Sequence, residues 1–215
     1  MQWRLLEGVP DDEVRRLLSV ARRRRFKRGE VVFHRDDPAD SMHLVAKGRF
    51  AIRTITPLGD TVTVGLRGPG DNFGEMALVD DSHRRSATIE ALEDSETFCV
   101  YHAEFQRLRK EHPQVEHLLT AFLAGEVRML NERLVEALYL PVEKRVLRRL
   151  AELVAVYSDT GSEIPLTQDE LASLAGTTRP TINQILRDEQ ARGTIELQRG
   201  RTIVLDRDEI ARRAR

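Results

Sequence analysis

Two short stretches hold the residue types that could do chemistry. In "GEMALVDDSHRRSA", residues 74–87, a glycine and a carboxylate at Gly74-Glu75 precede a guanidinium and a hydroxyl at Arg85-Ser86. A guanidinium beside a hydroxyl suits the oxygens of a phosphate, and a carboxylate suits a sugar hydroxyl rather than another phosphate. Backbone groups of Gly74, Met76 and Ala77 could line the same cassette. On the residues alone, Arg85 could equally be a surface arginine. The second stretch is "LTQDELASLAGTTRPTINQIL", residues 166–186. Thr167 followed three residues later by Glu170 spells a capping box, Gly176 permits a sharp turn, and Thr178 can cap a second helix. With Ile182, Ile185 and Leu186 turned inward, Arg179, Thr181, Asn183 and Gln184 are left on or near the outer surface. That is a helix-turn-helix whose second helix suits the major groove of DNA. Arg179 can donate twice to guanine O6 and N7, Asn183 or Gln184 can pair with adenine, and Thr181 can meet a phosphate or a thymine methyl. Thr167 and Thr178, at the two caps, are counted with the DNA-facing residues. Pro180 costs no intrahelical hydrogen bond in the first turn and offers no polar contact.

The elements that must position these residues follow from the hydrophobic pattern. A short helix over Asp12 to Ala21 places Val14, Leu17, Leu18 and Ala21 on one face. Short alternating runs follow, "EVVFHR", "SMHLVAKGRFAIRTI", "DTVTVGLR", "SATIEA" and "ETFCVY", broken by "DDPAD", "PLGD" and "GPGD". The spacing predicts a compact antiparallel barrel from about Arg23 to Tyr101, with Arg22 to Arg25 on a solvated strand edge. From Pro113 to Tyr139 the period is helical. Leu123, Val127, Leu130, Leu134 and Ala137 form one seam, which suits a twin helix in a parallel dimer, while Leu119, Phe122 and Met129 form a second strip. Pro141 fits the first turn of the next helix, and the chain closes with a two-stranded wing, "TIELQRGRTIVL", and a short helix, "RDEIARRA". The reading is an α+β chain in three parts: a sensing domain over 1–111, a dimerisation helix over 112–139 and a winged helix-turn-helix over 140–215.

Composition narrows the function. Thirty-four Lys and Arg against 35 Asp and Glu give a net charge of -1, so DNA binding must rest on local placement of cations rather than on overall charge. Lys144, Arg145, Arg148, Arg149, Arg187 and Arg199 are candidates to flank a duplex. The single Cys99 excludes an intrachain disulfide framework, a thiolate cluster and an iron–sulfur centre. His34, His43, His83, His102, His112 and His117 lack a distinctive ligand context, so no metal is expected. No nucleophile, base and orienter stand together, which argues against an enzyme. No run approaches the roughly 18 apolar residues of a membrane span, and a soluble cytosolic protein is expected.

The order "RGEVVFHRDDPADSMHLVAKG", "GDNFGEMALVDDSHRRSA", a long helix and "LTQDELASLAGTTRPTINQIL" resembles the CRP/FNR superfamily of bacterial transcription regulators over nearly the whole chain. The resemblance implies an N-terminal cyclic-nucleotide-binding-type β-barrel of the jelly-roll kind. It implies a cyclic nucleotide such as cAMP as effector, with Glu75 accepting from the ribose 2'-hydroxyl and Arg85 and Ser86 holding the cyclic phosphate. It also implies a homodimer, double-stranded DNA carrying an inverted repeat as partner, and RNA polymerase as a further partner. In the long helix the resemblance implies an arginine and a threonine-serine pair, the latter contacting the adenine across the dimer; those positions fall on Glu126, Leu130 and Asn131, of which Asn131 can still hydrogen-bond a purine. On the recognition helix Arg179 matches the family's guanine-reading arginine, while Pro180 and Gln184 depart from the usual glutamate and arginine. A different effector, such as a cyclic dinucleotide, or no effector at all, is the alternative.

Overall fold

Residues 3–78, 84–158 and 161–215 are described in a computed structural model, the side chains of Ala77 and Gln114 excepted, so His83 lies outside the described residues. The chain forms two compact units, Met1–Arg128 and Met129–Arg215. In the first unit, helix α1 (Asp11–Val20) precedes β1 (Arg22–Phe26), β2 (Val31–Phe33), β3 (Ser41–Lys47), β4 (Phe50–Ile55), β5 (Thr61–Arg67), β6 (Asn72–Phe73), β7 (Thr88–Ala91) and β8 (Ser95–Tyr101). Helix α2 (His102–Glu111) follows, and α3 (Gln114–Tyr139) runs on into the second unit.

The strands pair antiparallel in two sheets, ordered β1-β8-β3-β6 and β2-β7-β4-β5. Strand β3 is buried over five successive residues because both of its faces are covered. Val45 packs with Phe26, Phe50, Phe73 and Ile89 between the sheets. Met42 and Leu44 face a helical layer containing Leu17, Phe105, Leu108 and Leu119. The period-two alternation therefore has two apolar cores to fill.

The closed barrel expected from the spacing is not formed. Among the described residues the strands divide into two separate sheets, and no backbone ladder joins one to the other. Each sheet has one short edge strand: β6 has two residues, and β2 has three with a break in register. Between β5 and β6 the contact is instead a side-chain one, Arg67 Nε donating to the Asn72 carbonyl at 3.1 Å. Alternation fixes which side chains turn inward, but closure depends on stagger and strand length, which it does not encode.

The second unit contains α4 (Val142–Val156), β9 (Glu163–Ile164), α5 (Gln168–Ala175), α6 (Arg179–Ala191), β10 (Ile195–Gln198), β11 (Arg201–Val204) and α7 (Arg207–Arg213). Pro141 caps α4 rather than entering its first turn. The wing has three strands, ordered β10-β11-β9, instead of two. The added β9 is two residues long, too short for a periodic signal. The fully buried Glu189 on α6 anchors this unit, accepting from Arg213, Arg192 and the Thr194 hydroxyl at 2.6–2.8 Å. Among the described residues no helix is long and apolar enough to cross a membrane.

Candidate functional sites

The first unit holds a cavity lined by Phe33, Arg67, Phe73, Gly74, Glu75, Met76, Arg85 and Ser86, so the segments 73–76 and 85–86 meet residues of β2 and β5. Arg85 is only 6 % exposed. Its Nη1 donates to the Ser41 carbonyl at 2.6 Å, its Nη2 to the Ser41 hydroxyl at 3.0 Å, and its guanidinium lies 4.0 Å from the centre of the Phe33 ring. The nearest carboxylate, Asp40, is 4.0 Å away and mostly exposed, while Arg85 Nε is buried without a hydrogen-bond acceptor. Burial pulls Arg85 below the usual arginine value, with Asp40 opposing. A buried guanidinium facing a cavity with a donor to spare is fitted to an anion.

Gly74 makes room for this arrangement. Its φ of 79° is left-handed, and a Cβ there would stand 2.8 Å from Arg85 Nη1 and 3.2 Å from the Ser41 carbonyl, so any side chain would displace the guanidinium. Glu75 starts a short 3-10 helix that also includes Met76 and Ala77. The residue is partly exposed as a whole, but its carboxyl group is enclosed, and burial raises its pKa above the ordinary carboxylate value. Its Oε2 accepts from Asn72 Nδ2 at 3.1 Å. Ser86 is exposed at the rim. Arg67, which no signal in the sequence marks, enters the cavity wall and pairs with Glu126 of α3 at 2.7 Å. In an alternating strand it looks like any solvated arginine, and its partner lies 59 residues away. Ser41 and Phe33 carried no signal for the same reason. His43 is a satisfied core histidine, stacked on Phe73, with Nδ1 2.9 Å from the Thr97 hydroxyl; burial first, then Arg85, lowers its pKa to about 3.

In the second unit, Thr167 caps α5 with both halves of the capping box present, Gly176 takes the left-handed conformation at the turn, and Thr178 caps α6. Ile182, Ile185 and Leu186 are buried. Thr178, Arg179, Pro180 and Gln184 are exposed, and Thr181 and Asn183 are half-buried. Each polar residue already has an internal partner. Arg179 lies 3.1 Å from Asp169, Asn183 donates to Gln168 at 2.7 Å, Gln184 donates to Asp188 at 2.9 Å, and the Thr178 and Thr181 hydroxyls are 2.9 Å apart. Asn183 thus ties α6 to α5. Thr167, Arg179 and Arg199 line a hollow between the helices and the wing. Of the flanking cations, Lys144 donates to the Arg215 carbonyl, Arg148 to the Ala214 carbonyl and Glu136, and Arg149 to Glu136 and Glu152. Arg145 is held by three backbone carbonyls. Arg187 and Arg199 are exposed and make no ion pair among the described residues.

The seam on α3 divides. Leu123 packs against the helical layer of the first unit. Val127, Leu130 and Leu134 are 56 %, 60 % and 56 % exposed, and Ala137 is exposed too, as are Val135, Leu138 and Tyr139. Asn131 is also exposed and lines a surface hollow with Val135, Tyr139 and Arg148. So many large apolar side chains on one helix mark an interaction surface.

A sandwich with an anion-fitted pocket and a winged helix-turn-helix on one chain define a class, the ligand-responsive DNA-binding regulator. Residues 23–112 match the cyclic nucleotide-binding domain and residues 144–213 the Crp-like helix-turn-helix domain. The chain is 32 % identical to the cyclic AMP receptor protein of Thermus thermophilus, over 91 % of this chain and 89 % of that one. It is 27 % identical to a CRP-like cAMP-activated global transcriptional regulator of Mycobacterium tuberculosis, over 98 % and 96 %. The c-di-GMP responsive global regulator CLP of Xanthomonas campestris shares the fold, with a TM-score of 0.78, 22 % identity and coverage of 91 % and 99 %. The chain belongs to the CRP/FNR superfamily of transcription regulators, a non-catalytic family with a cyclic nucleotide-binding domain and a DNA-binding helix-turn-helix.

Proposed function

We propose that the chain acts as a homodimer that binds cAMP in its 1–111 domain, pairs through α3 in its 112–139 segment and reads an inverted repeat with its 140–215 domain. The observation that carries the effector reading is the buried Arg85, with its unmatched Nε, beside Gly74 and Glu75. Arg85 and Ser86 hold the cyclic phosphate, Glu75 accepts from the ribose hydroxyl, and backbone groups of Met76 and Ala77 line the pocket. Asn131, exposed on α3, is the purine contact. On DNA, Arg179 reads a guanine; Thr181, Asn183 and Gln184 complete the reading face once their internal partners are given up; and Thr167 and Thr178 flank the backbone. RNA polymerase is the partner through which bound dimer changes transcription. Control requires that cAMP bind two dimer arrangements with different affinity, since equal affinity would shift nothing.

Calorimetric titration with cAMP, cyclic GMP, a cyclic dinucleotide and linear AMP tests the effector, followed by DNA binding with and without the ligand that binds. The expected result is one cAMP per chain, little linear AMP and tighter DNA binding in the liganded state. Preference for a cyclic dinucleotide would replace cAMP as the effector. No binding by any of the four would overturn the pocket reading.

A further inference from the structure

A buried carboxylate in the first unit serves neither site. Glu13, in the first turn of α1, is 6 % exposed, and its Oε2 is buried without a hydrogen-bond donor. Its Oε1 lies 3.1 Å from Arg16. Facing it, from the end of α2, are the Glu111 carboxylate and the His112 imidazole. His112 Nε2 stands 3.0 Å from Glu13 Oε2, yet the pair lacks the alignment of a hydrogen bond. Glu13 Oε2, buried and accepting no hydrogen bond, thus has the His112 ring nitrogen at 3.0 Å and a second carboxylate, Glu111, within 4.8 Å of both.

The geometry points to a divalent transition-metal site formed by Glu13, Glu111 and His112. One ligand atom from each residue lies within 4.8 Å of the others. Ligands held at about 2.0–2.2 Å from one ion stand roughly 3.0–3.5 Å apart, so the His112–Glu13 pair is already in place and Glu111, which is half exposed, needs a small side-chain rotation. Two carboxylates and one imidazole suit zinc, manganese or iron(II) rather than a thiolate-seeking ion, and water completes the coordination. Arg16, on the other oxygen of Glu13, becomes the outer-sphere partner that orients the ligating carboxylate. Because His112 directly precedes Pro113 and the first residue of α3, an ion here would fasten α1 to the corner from which the long helix starts. In sequence the ligands are separated by almost a hundred residues, which is why the histidines looked contextless.

The competing reading is a plain carboxylate–imidazole contact between two helices. Full-length protein stripped with a chelator would be titrated with cobalt(II), followed by its visible absorption, and then with competing zinc. The expected result is one equivalent of cobalt per chain with a ligand-field spectrum, displaced by zinc, and a higher melting temperature with either ion. Glu13→Gln and His112→Gln should each weaken binding by at least roughly 100-fold, beyond the cost of losing an outer-sphere partner, whereas His117→Gln should leave it unchanged. Should Glu13→Gln fail to fold, His112→Gln and Glu111→Gln, both at partly exposed positions, decide the matter. Absence of stoichiometric binding to the native chain, or equal binding by the variants and native protein, would overturn the site.

Discussion

Arg85→Met separates the ligand site from the fold. In the free protein the guanidinium makes two hydrogen bonds, both to Ser41, at 2.6 and 3.0 Å. Two charge-assisted bonds to a phosphate are worth about 3–6 kcal/mol, and releasing two ordinary bonds to Ser41 returns about 1–2 kcal/mol of that. The net loss on removing the guanidinium is then about 2–4 kcal/mol, roughly 30- to 1000-fold in Kd. Stability should respond far less. The substitution leaves two Ser41 oxygens without their donor, but it also removes a buried charge whose nearest carboxylate is 4.0 Å away.

Thermal unfolding with and without cAMP reads both effects. At a ligand concentration about 100 times the native Kd, the native protein gains about 2.7 kcal/mol, whereas a variant weakened at least 30-fold gains less than about 0.9 kcal/mol. The unliganded proteins should differ by less than about 2 kcal/mol. A variant that keeps the full ligand-induced rise would refute the placement of the phosphate on Arg85. One that is already unfolded without ligand would show that Arg85 is a structural residue.

Three further outcomes are expected. The folded-state pKa of Glu75 lies above the ordinary 4.5, so within that window the folded chain holds more protons than the unfolded one and stability falls as pH rises through it; Glu75→Gln should abolish this decline, and parallel urea midpoints for the two proteins between about pH 4 and 8 would contradict the assignment. Val127→Glu and Leu134→Glu, each at a position 56 % exposed in the single chain, should shift the protein from dimer to monomer in sedimentation velocity by placing unpaired charge in the seam, and an unchanged dimer would move the interface elsewhere. Arg179→Ala should lose about 1–3 kcal/mol of discrimination at one base pair per half-site, read by selection from a random duplex pool at fixed salt; recovery of an unchanged motif would remove Arg179 as the reader.

How much of this was written in the sequence depends on the range of the interaction. The helix-turn-helix was readable almost residue by residue, because a capping box, a left-handed glycine and a second cap are local events, and Thr167, Gly176 and Thr178 take those roles in the structure. The stretches that form strands were readable too, since short alternating runs between turn residues mark them. Closure of the sheets was not, because it depends on stagger and strand length, and no periodicity announces the lengths of β2 and β6. The pocket was half readable. Gly74, Glu75, Arg85 and Ser86 stood out as types, but Ser41, Phe33 and Arg67 reach them only through the fold. Nor could the sequence show that the polar side chains of the recognition helix are tied to Gln168, Asp169 and Asp188.

Partner number sorts the cations that composition leaves alike. Among the described residues the Arg85 side chain hydrogen-bonds to Ser41 alone, with the Phe33 ring and Asp40 each 4.0 Å away, and Arg179 pairs with Asp169 alone; in the proposed function a ligand takes over these contacts. Arg145, a candidate for the flank of a duplex only by its charge, is held differently: it donates to the carbonyls of Leu140, Ala175 and Gly176 at 3.1, 3.2 and 3.0 Å. Leu140 follows the end of α3, and Ala175 and Gly176 end α5, so one guanidinium satisfies carbonyls that two helix termini leave without partners. Arg145→Met keeps the apolar stem and removes all three bonds, which should lower the stability of the second unit by about 2–4 kcal/mol. Arg187→Met, at an exposed position, should change stability by less than about 0.5 kcal/mol. On DNA the order reverses: Arg187→Met should reduce the slope of log affinity against log salt by about one phosphate contact, while Arg145→Met, measured below its melting transition, should leave the slope unchanged. A lowered slope with an unaltered melting temperature for Arg145→Met would return that residue to the phosphate-binding flank.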